Sequence, residues 1–235
     1  MNLRCYDVLL GKSCSTRRQK LTMSLLFTFL IGLVAHGMQF LSLAPTHDYL
    51  FSFFENQGEY ENALELGRYL QPVVRSLTGT AAATPWTIGL MSLALIGLSV
   101  YVTVSMFEID RMGQIFLISG LMTTNLAVTA TAGTYMTYLL PFSFALFFAV
   151  LAADCWKKFR LTGKISWLIL GAVLIFLSAG LYQCYLFVTV TWILLDSILG
   201  LMEDRKAKQV ILQGLTGAAM IAAGAADTCR RGQIS

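Results

Sequence analysis

The chain has 235 residues, 56% of them hydrophobic and 13% charged, with a net charge of +4. Soluble domains carry about 25% charge, so half the usual charge is missing. With a mean hydropathy of +0.66, a soluble globular enzyme is excluded, as are a collagen, a disordered tail and a disulfide-rich secreted scaffold.

A helix needs about 20 apolar residues to cross a bilayer core, and the chain offers several such runs. The first, Leu21 to Ala44, follows a basic start with Arg4, Lys12, Arg17, Arg18 and Lys20. It is too long for a secretory signal, and Pro45 follows its small-residue exit, so it reads as a retained anchor. Next come runs at Thr84 to Phe107, Gln114 to Ala132 and Tyr135 to Ala153. The stretch Ile165 to Leu201 is too long for one crossing and splits near Gly180-Leu181-Tyr182-Gln183 into a fifth and a sixth helix. A seventh segment, Val210 to Ala226, is rich in Ala and Gly and only weakly apolar. The fold class predicted is therefore all-α, a single polytopic membrane domain over 1–235. It has six to seven transmembrane helices, a cytoplasmic basic start over 1–20, an outer loop over 45–84 and a weak seventh helix with a tail over 202–235.

Lys and Arg in short loops set orientation. With the amino terminus in the cytoplasm, that side holds the five starting cations, Arg111, Lys157, Lys158, Arg160, Lys164, Arg205, Lys206 and Lys208. The outer side before the tail holds only Arg68 and Arg75, and Arg230 and Arg231 in the tail would lie outside if the seventh helix crosses. A cell-membrane protein with a cytoplasmic amino terminus is predicted. The dispersal of cations gives no footprint for nucleic acid. Cys5, Cys14, Cys155, Cys184 and Cys229 form no CxxC pair and no metal-ligand spacing, so they read as unpaired thiols.

The one long connection, Pro45 to Thr84, carries Asp48, Glu55, Glu59, Glu61 and Glu65. From Glu59 to Leu77 it has a helical period. Tyr60, Ala63, Leu64, Gly67, Leu70, Val74 and Leu77 share one face, and Glu61, Glu65, Arg68, Pro72 and Arg75 share another. Such a helix is expected to lie on the membrane with its charges toward water, kinked by Pro72 near Gln71. Loops of this length are usually functional. Asp48, beside His47 where the first helix meets the loop, can serve as a base in a partly dry interface. From position alone, the commoner role is to cap the apolar segment Tyr49-Leu50-Phe51. Arg68 and Arg75 present forks of donors that match phosphate oxygens, or else pair with the loop's acids, as Glu65 and Arg68 would at i,i+3.

Inside the membrane runs, His36 is costly to bury and points to an inward polar site. Asn125 stands among Thr123, Thr124, Thr129, Thr131 and Thr134 in the third run, and Tyr182, Gln183 and Tyr185 mark the outer turn between the fifth and sixth helices. Each of these also suits helix packing or interfacial anchoring. No P-loop, GxGxxG, HExxH or GxSxG pattern occurs, which removes nucleotide-binding and zinc-protease mechanisms.

The order of these features resembles the bacterial O-antigen glucosyltransferases of the Gtr type, which have a GT-C-like membrane fold. The resemblance runs over Leu21 to Leu201, through APTHDYLF, ENALELGRYLQPVVRSL, LMTTNLAVTATAGTYMTYLLPF and SAGLYQCYLFVTVTW. Its most specific parts are the loop acid followed by Gly67-Arg68-Tyr69, and the later pair Tyr182-Gln183. What the resemblance implies is transfer of glucose from a polyprenyl-phosphate donor to a cell-surface glycan on the outer face. Asp48 would be the catalytic base that takes the proton of the acceptor hydroxyl, and Arg68 and Arg75 would bind the donor phosphate. His47, Tyr182, Gln183 and Asn125 would contact sugar. No cofactor and no metal site are expected, since Asp48 alone is a poor cation site. The partners implied are the lipid-linked donor, the acceptor glycan and the bilayer. Family members generally are longer and have more helices, so the chain reads as a truncated or frame-shifted copy whose donor cavity can be incomplete. Two other classes compete. A small transporter or flippase component would use His36 and Asn125 but should show internal repeats, and none is found. A non-catalytic scaffold would tolerate loss of Asp48.

Overall fold

The structure, a computed structural model, describes residues 13–14, 16–42, 58–79, 84–203 and 205–231. Among them are ten α-helices and no strand: α1 (Arg17–Leu41), α2 (Gly58–Glu65), α3 (Gln71–Thr78), α4 (Pro85–Met106), α5 (Met112–Thr123), α6 (Leu126–Thr134), α7 (Leu139–Thr162), α8 (Ile165–Leu181), α9 (Leu186–Met202) and α10 (Ala207–Arg231). Within the described residues each of the seven apolar runs is helical, including the weakly apolar last one. By length and composition, five segments can cross a membrane: Arg17–Leu41, Pro85–Met106, Met136–Thr162, Gln183–Met202 and Ala207–Ala226. The bent pair α5–α6 makes a sixth, and α8 is a shorter apolar helix. The all-α polytopic membrane fold is thus present.

Two elements differ from the expectation. The third run is not one helix: α5 and α6 meet at a 47° bend. Thr124 and Asn125 cause it, because short polar side chains compete with the helix for backbone groups. The Thr124 hydroxyl donates to the Gly120 carbonyl at 2.9 Å, and the Asn125 side chain caps α6 by accepting from the Val128 amide at 3.1 Å. The amphipathic segment is likewise two helices, and the interruption comes before Pro72. Gly67, with φ +70°, ends α2, whereas Pro72 is the second residue of α3, where a missing N–H costs no helical bond. The interruption resets the helical phase. Arg75, expected on the water-facing side, is buried, and Leu77, expected on the apolar side, is 81% exposed.

The chain divides into two compact units, Met1–Glu55 with Thr78–Ser143, and Asn56–Leu77 with Phe144–Ser235, the boundary falling inside α7. In the first unit α1 packs on α4, α5 and α6. Thr16 and Gln19 form a capping box at the start of α1, and Lys20 pairs with Asp110 at 2.5 Å. Small residues let α1 and α4 approach closely, as membrane helices do. A Cβ on Gly32 would come within 2.3 Å of Leu93, one on Gly89 within 2.6 Å of Phe40, and one on Gly97 within 2.8 Å of Leu25.

In the second unit the core is Ala152 and Trp156 of α7, Ile175 of α8, Ile193 of α9 and Met220 of α10. Polar bonds tie these helices where water does not compete. The Ser178 hydroxyl donates to the Ala145 carbonyl at 2.8 Å and the Thr189 hydroxyl to the Ala149 carbonyl at 2.8 Å. The Trp156 indole donates to the Gln213 carbonyl at 3.2 Å. One end of this unit carries the α7–α8 and α9–α10 turns, near a buried ion pair in which Arg160 meets both carboxylate oxygens of Asp196 at 3.0 Å. The other end carries the α8–α9 turn.

Candidate functional site

At that second end the sequence builds a strap. Helix α2 stops at Glu65, and the Gly67 amide bonds the Leu64 carbonyl at 2.8 Å while the Arg68 amide bonds the Ala63 carbonyl at 2.7 Å. This pair of bonds around a left-handed glycine is the Schellman ending. It turns the chain so that Leu66 to Leu70 run across the top of α8 and the turn that follows it.

Bonds to α8 and the turn after it hold the strap. The Leu70 amide donates to the Gly180 carbonyl at 3.0 Å. The Tyr69 hydroxyl donates to the Phe176 carbonyl at 3.4 Å, with the two rings 5.4 Å apart. The Gln183 side-chain amide donates to the Leu66 carbonyl at 2.9 Å. Gly180 makes the close approach possible, since a Cβ there would sit 2.7 Å from the Tyr69 ring. Between the anchored neighbours, the Arg68 guanidinium lies over the Tyr182 ring, 4.9 Å from its centroid. That is a cation–π distance. Tyr182 in turn packs edge-on against Tyr185, 5.6 Å away, and Tyr185 is buried.

The structure therefore brings together Arg68, Tyr182 and Gln183. Arg68 lies beyond the end of α2, which stops at Glu65. Arg75 sits in the last turn of α3, buried rather than facing water. Asp48 and His47 lie outside the described residues. Asn125 belongs to the first unit, where its carboxamide closes the α5–α6 bend, donating to the Met122 carbonyl at 2.7 Å and accepting from Val128. His36 serves the same bend. Its Nε2 lies 3.0 Å from the Thr123 carbonyl, and because a carbonyl only accepts, Nε2 carries the proton. Both polar residues thus satisfy backbone groups that the bend exposes. Among the described residues no group of three or more His, Cys, Asp or Glu could hold a metal ion.

Sequence reasoning missed Gly180, Phe176 and the Leu66 carbonyl as parts of this site. Only the pairing of an aromatic residue after Gly67 with a glycine at the end of α8 hinted at them.

Chemically, the strap presents a planar, permanently charged fork of donors beside an aromatic face, at the end of a bundle of apolar helices. Such an arrangement suits an anionic group carried by an apolar chain. A helical, multi-span membrane protein with a held arginine at one helix turn is the class these features define. The chain belongs to the family described as Glucosyl transferase GtrII, which matches residues 37–226, and a glucosyltransferase role in general follows from that membership. No curated protein and no solved structure matches the chain.

Proposed function

We propose that this protein transfers glucose from a polyprenyl-phosphate donor to a glycan on the outer face of the cell membrane, its amino terminus lying in the cytoplasm. The observation that carries the reading is the Arg68 guanidinium, anchored through its neighbours at the α8–α9 turn in a chain of the GtrII family. A donor whose prenyl chain lies in the bilayer accounts for an enzyme built almost wholly of apolar helix. In the reaction the acceptor hydroxyl oxygen attacks the anomeric carbon, and its proton passes to the Asp48 carboxylate. The bond from that carbon to the phosphate oxygen breaks, and the polyprenyl phosphate leaves with the electron pair. Arg68 stabilises the charge that develops on the leaving phosphate, with Arg75 supplying further positive charge. His47 and Tyr182 are the candidates for contact with sugar hydroxyls.

The test is glucosyl transfer in membrane vesicles with polyprenyl-phosphate glucose as donor. Asp48→Asn is expected to lower turnover by about 100-fold or more at equal membrane levels, the size of a lost general base. Arg68→Ala is expected to lower it by about 100-fold, as for a lost transition-state donor. An unmodified protein that transfers no glucose in this assay would remove the reading, and a non-catalytic scaffold would then stand.

A further inference from the structure

The pair Tyr182-Gln183 meets the strap at two points. Its glutamine reaches the Leu66 carbonyl and its tyrosine ring carries the Arg68 guanidinium, so one dipeptide grips the residue before Gly67 and the residue after it. One N–H of the Gln183 side-chain amide is directed to the protein's own backbone. A carbonyl at a helix end needs a donor, because the last carbonyls of α2 have no intrahelical partner. Gln183 supplies it from the α8–α9 turn, 117 positions away in sequence. The remaining ties at Leu70 and Tyr69 lie on the other side of Arg68. The backbone is thus anchored before and after the arginine.

We infer that Gln183 is a positioning residue for Arg68, a latch that fixes the strap on the α8–α9 turn, and not a contact for sugar. The inference rests on the reading of Arg68 as the phosphate-binding group, and it concerns how that group is held. Misplacing a charge-stabilising group by about 1 Å can cost up to about 100-fold in rate, so a latch of one hydrogen bond can matter to turnover.

Two variants remove the donor with little change of shape. Gln183→Glu puts a carboxylate, which only accepts, opposite the carbonyl, and Gln183→Met has no donor at all. Hydrogen exchange of the full chain in detergent reads the latch without any substrate. Both variants are expected to speed exchange in the peptide spanning residues 66–70 while leaving the core of α7 protected. Unchanged exchange at the strap would overturn the latch. The second readout is a double-mutant cycle in the vesicle assay. Gln183→Glu alone is expected to lower kcat/KM for the lipid-linked donor by about tenfold to 100-fold, and to add little once Arg68 is alanine, because residues acting through one another are not additive. Full additivity, or a loss confined to the KM of the acceptor glycan, would overturn the positioning role and return Gln183 to sugar binding. If the unmodified protein transfers no glucose, the function fails while the exchange measurement still decides the latch.

Discussion

Gly67 shows how much one backbone angle decides here. Its φ of +70° lies in the left-handed region, which costs a residue with a Cβ about 1–2 kcal/mol. The Schellman bonds to Leu64 and Ala63 depend on that angle, and so does the direction in which Arg68 leaves the helix. Gly67→Ala is therefore expected to lower stability by about 1–2 kcal/mol, read as an earlier thermal transition in detergent. Gly67→Asn should lose less, because asparagine tolerates this conformation. Equal losses in the two variants would mean that packing around Gly67, not its dihedral angle, is what matters. The charge and the aromatic neighbour of Gly67-Arg68-Tyr69 were legible in the sequence. The partner of each was not, since Gly180, Phe176 and Tyr182 lie more than a hundred positions further on.

Among the elements, the apolar runs foretold the helices well, because a run of about 20 apolar residues in a membrane has few ways other than a helix to satisfy its backbone. The interruptions were less visible. Asn125 breaks the third run through its own side-chain bonds, and Gly67, not Pro72, ends the first loop helix. The contact of α8 with α10 is governed by two glycines of different kinds. A Cβ at Gly224 would lie 2.5 Å from the Ala172 carbonyl oxygen and 2.6 Å from the Ile175 Cβ, whereas at Gly171 the obstacle is the Met220 sulfur at 2.3 Å. A methionine can change rotamer, but the backbone of α8 can yield only by moving the helix. Gly224→Ala is expected to cost about 1–3 kcal/mol as an overpacked site, and Gly171→Ala clearly less. Thermal melting of the two purified variants checks the order, and a larger loss at Gly171 would refute this account of the α8–α10 contact.

For the molecule as a whole, the proposed orientation makes a separable prediction. Cys184 is exposed at the α8–α9 turn, beside Tyr182 and Gln183, and Lys164 stands at the opposite end of the 17-residue α8, about 25 Å away at 1.5 Å per residue. With Cys184 as the sole cysteine, a membrane-impermeant maleimide is expected to label intact cells. With Lys164→Cys as the sole cysteine, labelling is expected only after permeabilisation. The reverse pattern would place the Arg68 strap on the cytoplasmic side and withdraw the proposed outer-face reaction.

The amino-acid sequence alone determined the membrane class, the number of apolar segments, the asymmetry of cations and the resemblance to the glucosyltransferase family. These are sums and runs along the chain, and the bilayer acts on them locally, through the transfer of apolar surface and the exclusion of charge. Only the tertiary structure decided that Arg75 is buried, that His36 and Asn125 serve the bend between α5 and α6, and that Gln183 holds the Leu66 carbonyl. Each of those outcomes depends on which donor meets which unsatisfied acceptor. That pairing is made across distant parts of the chain, where hydrophobic periodicity carries no information about partners.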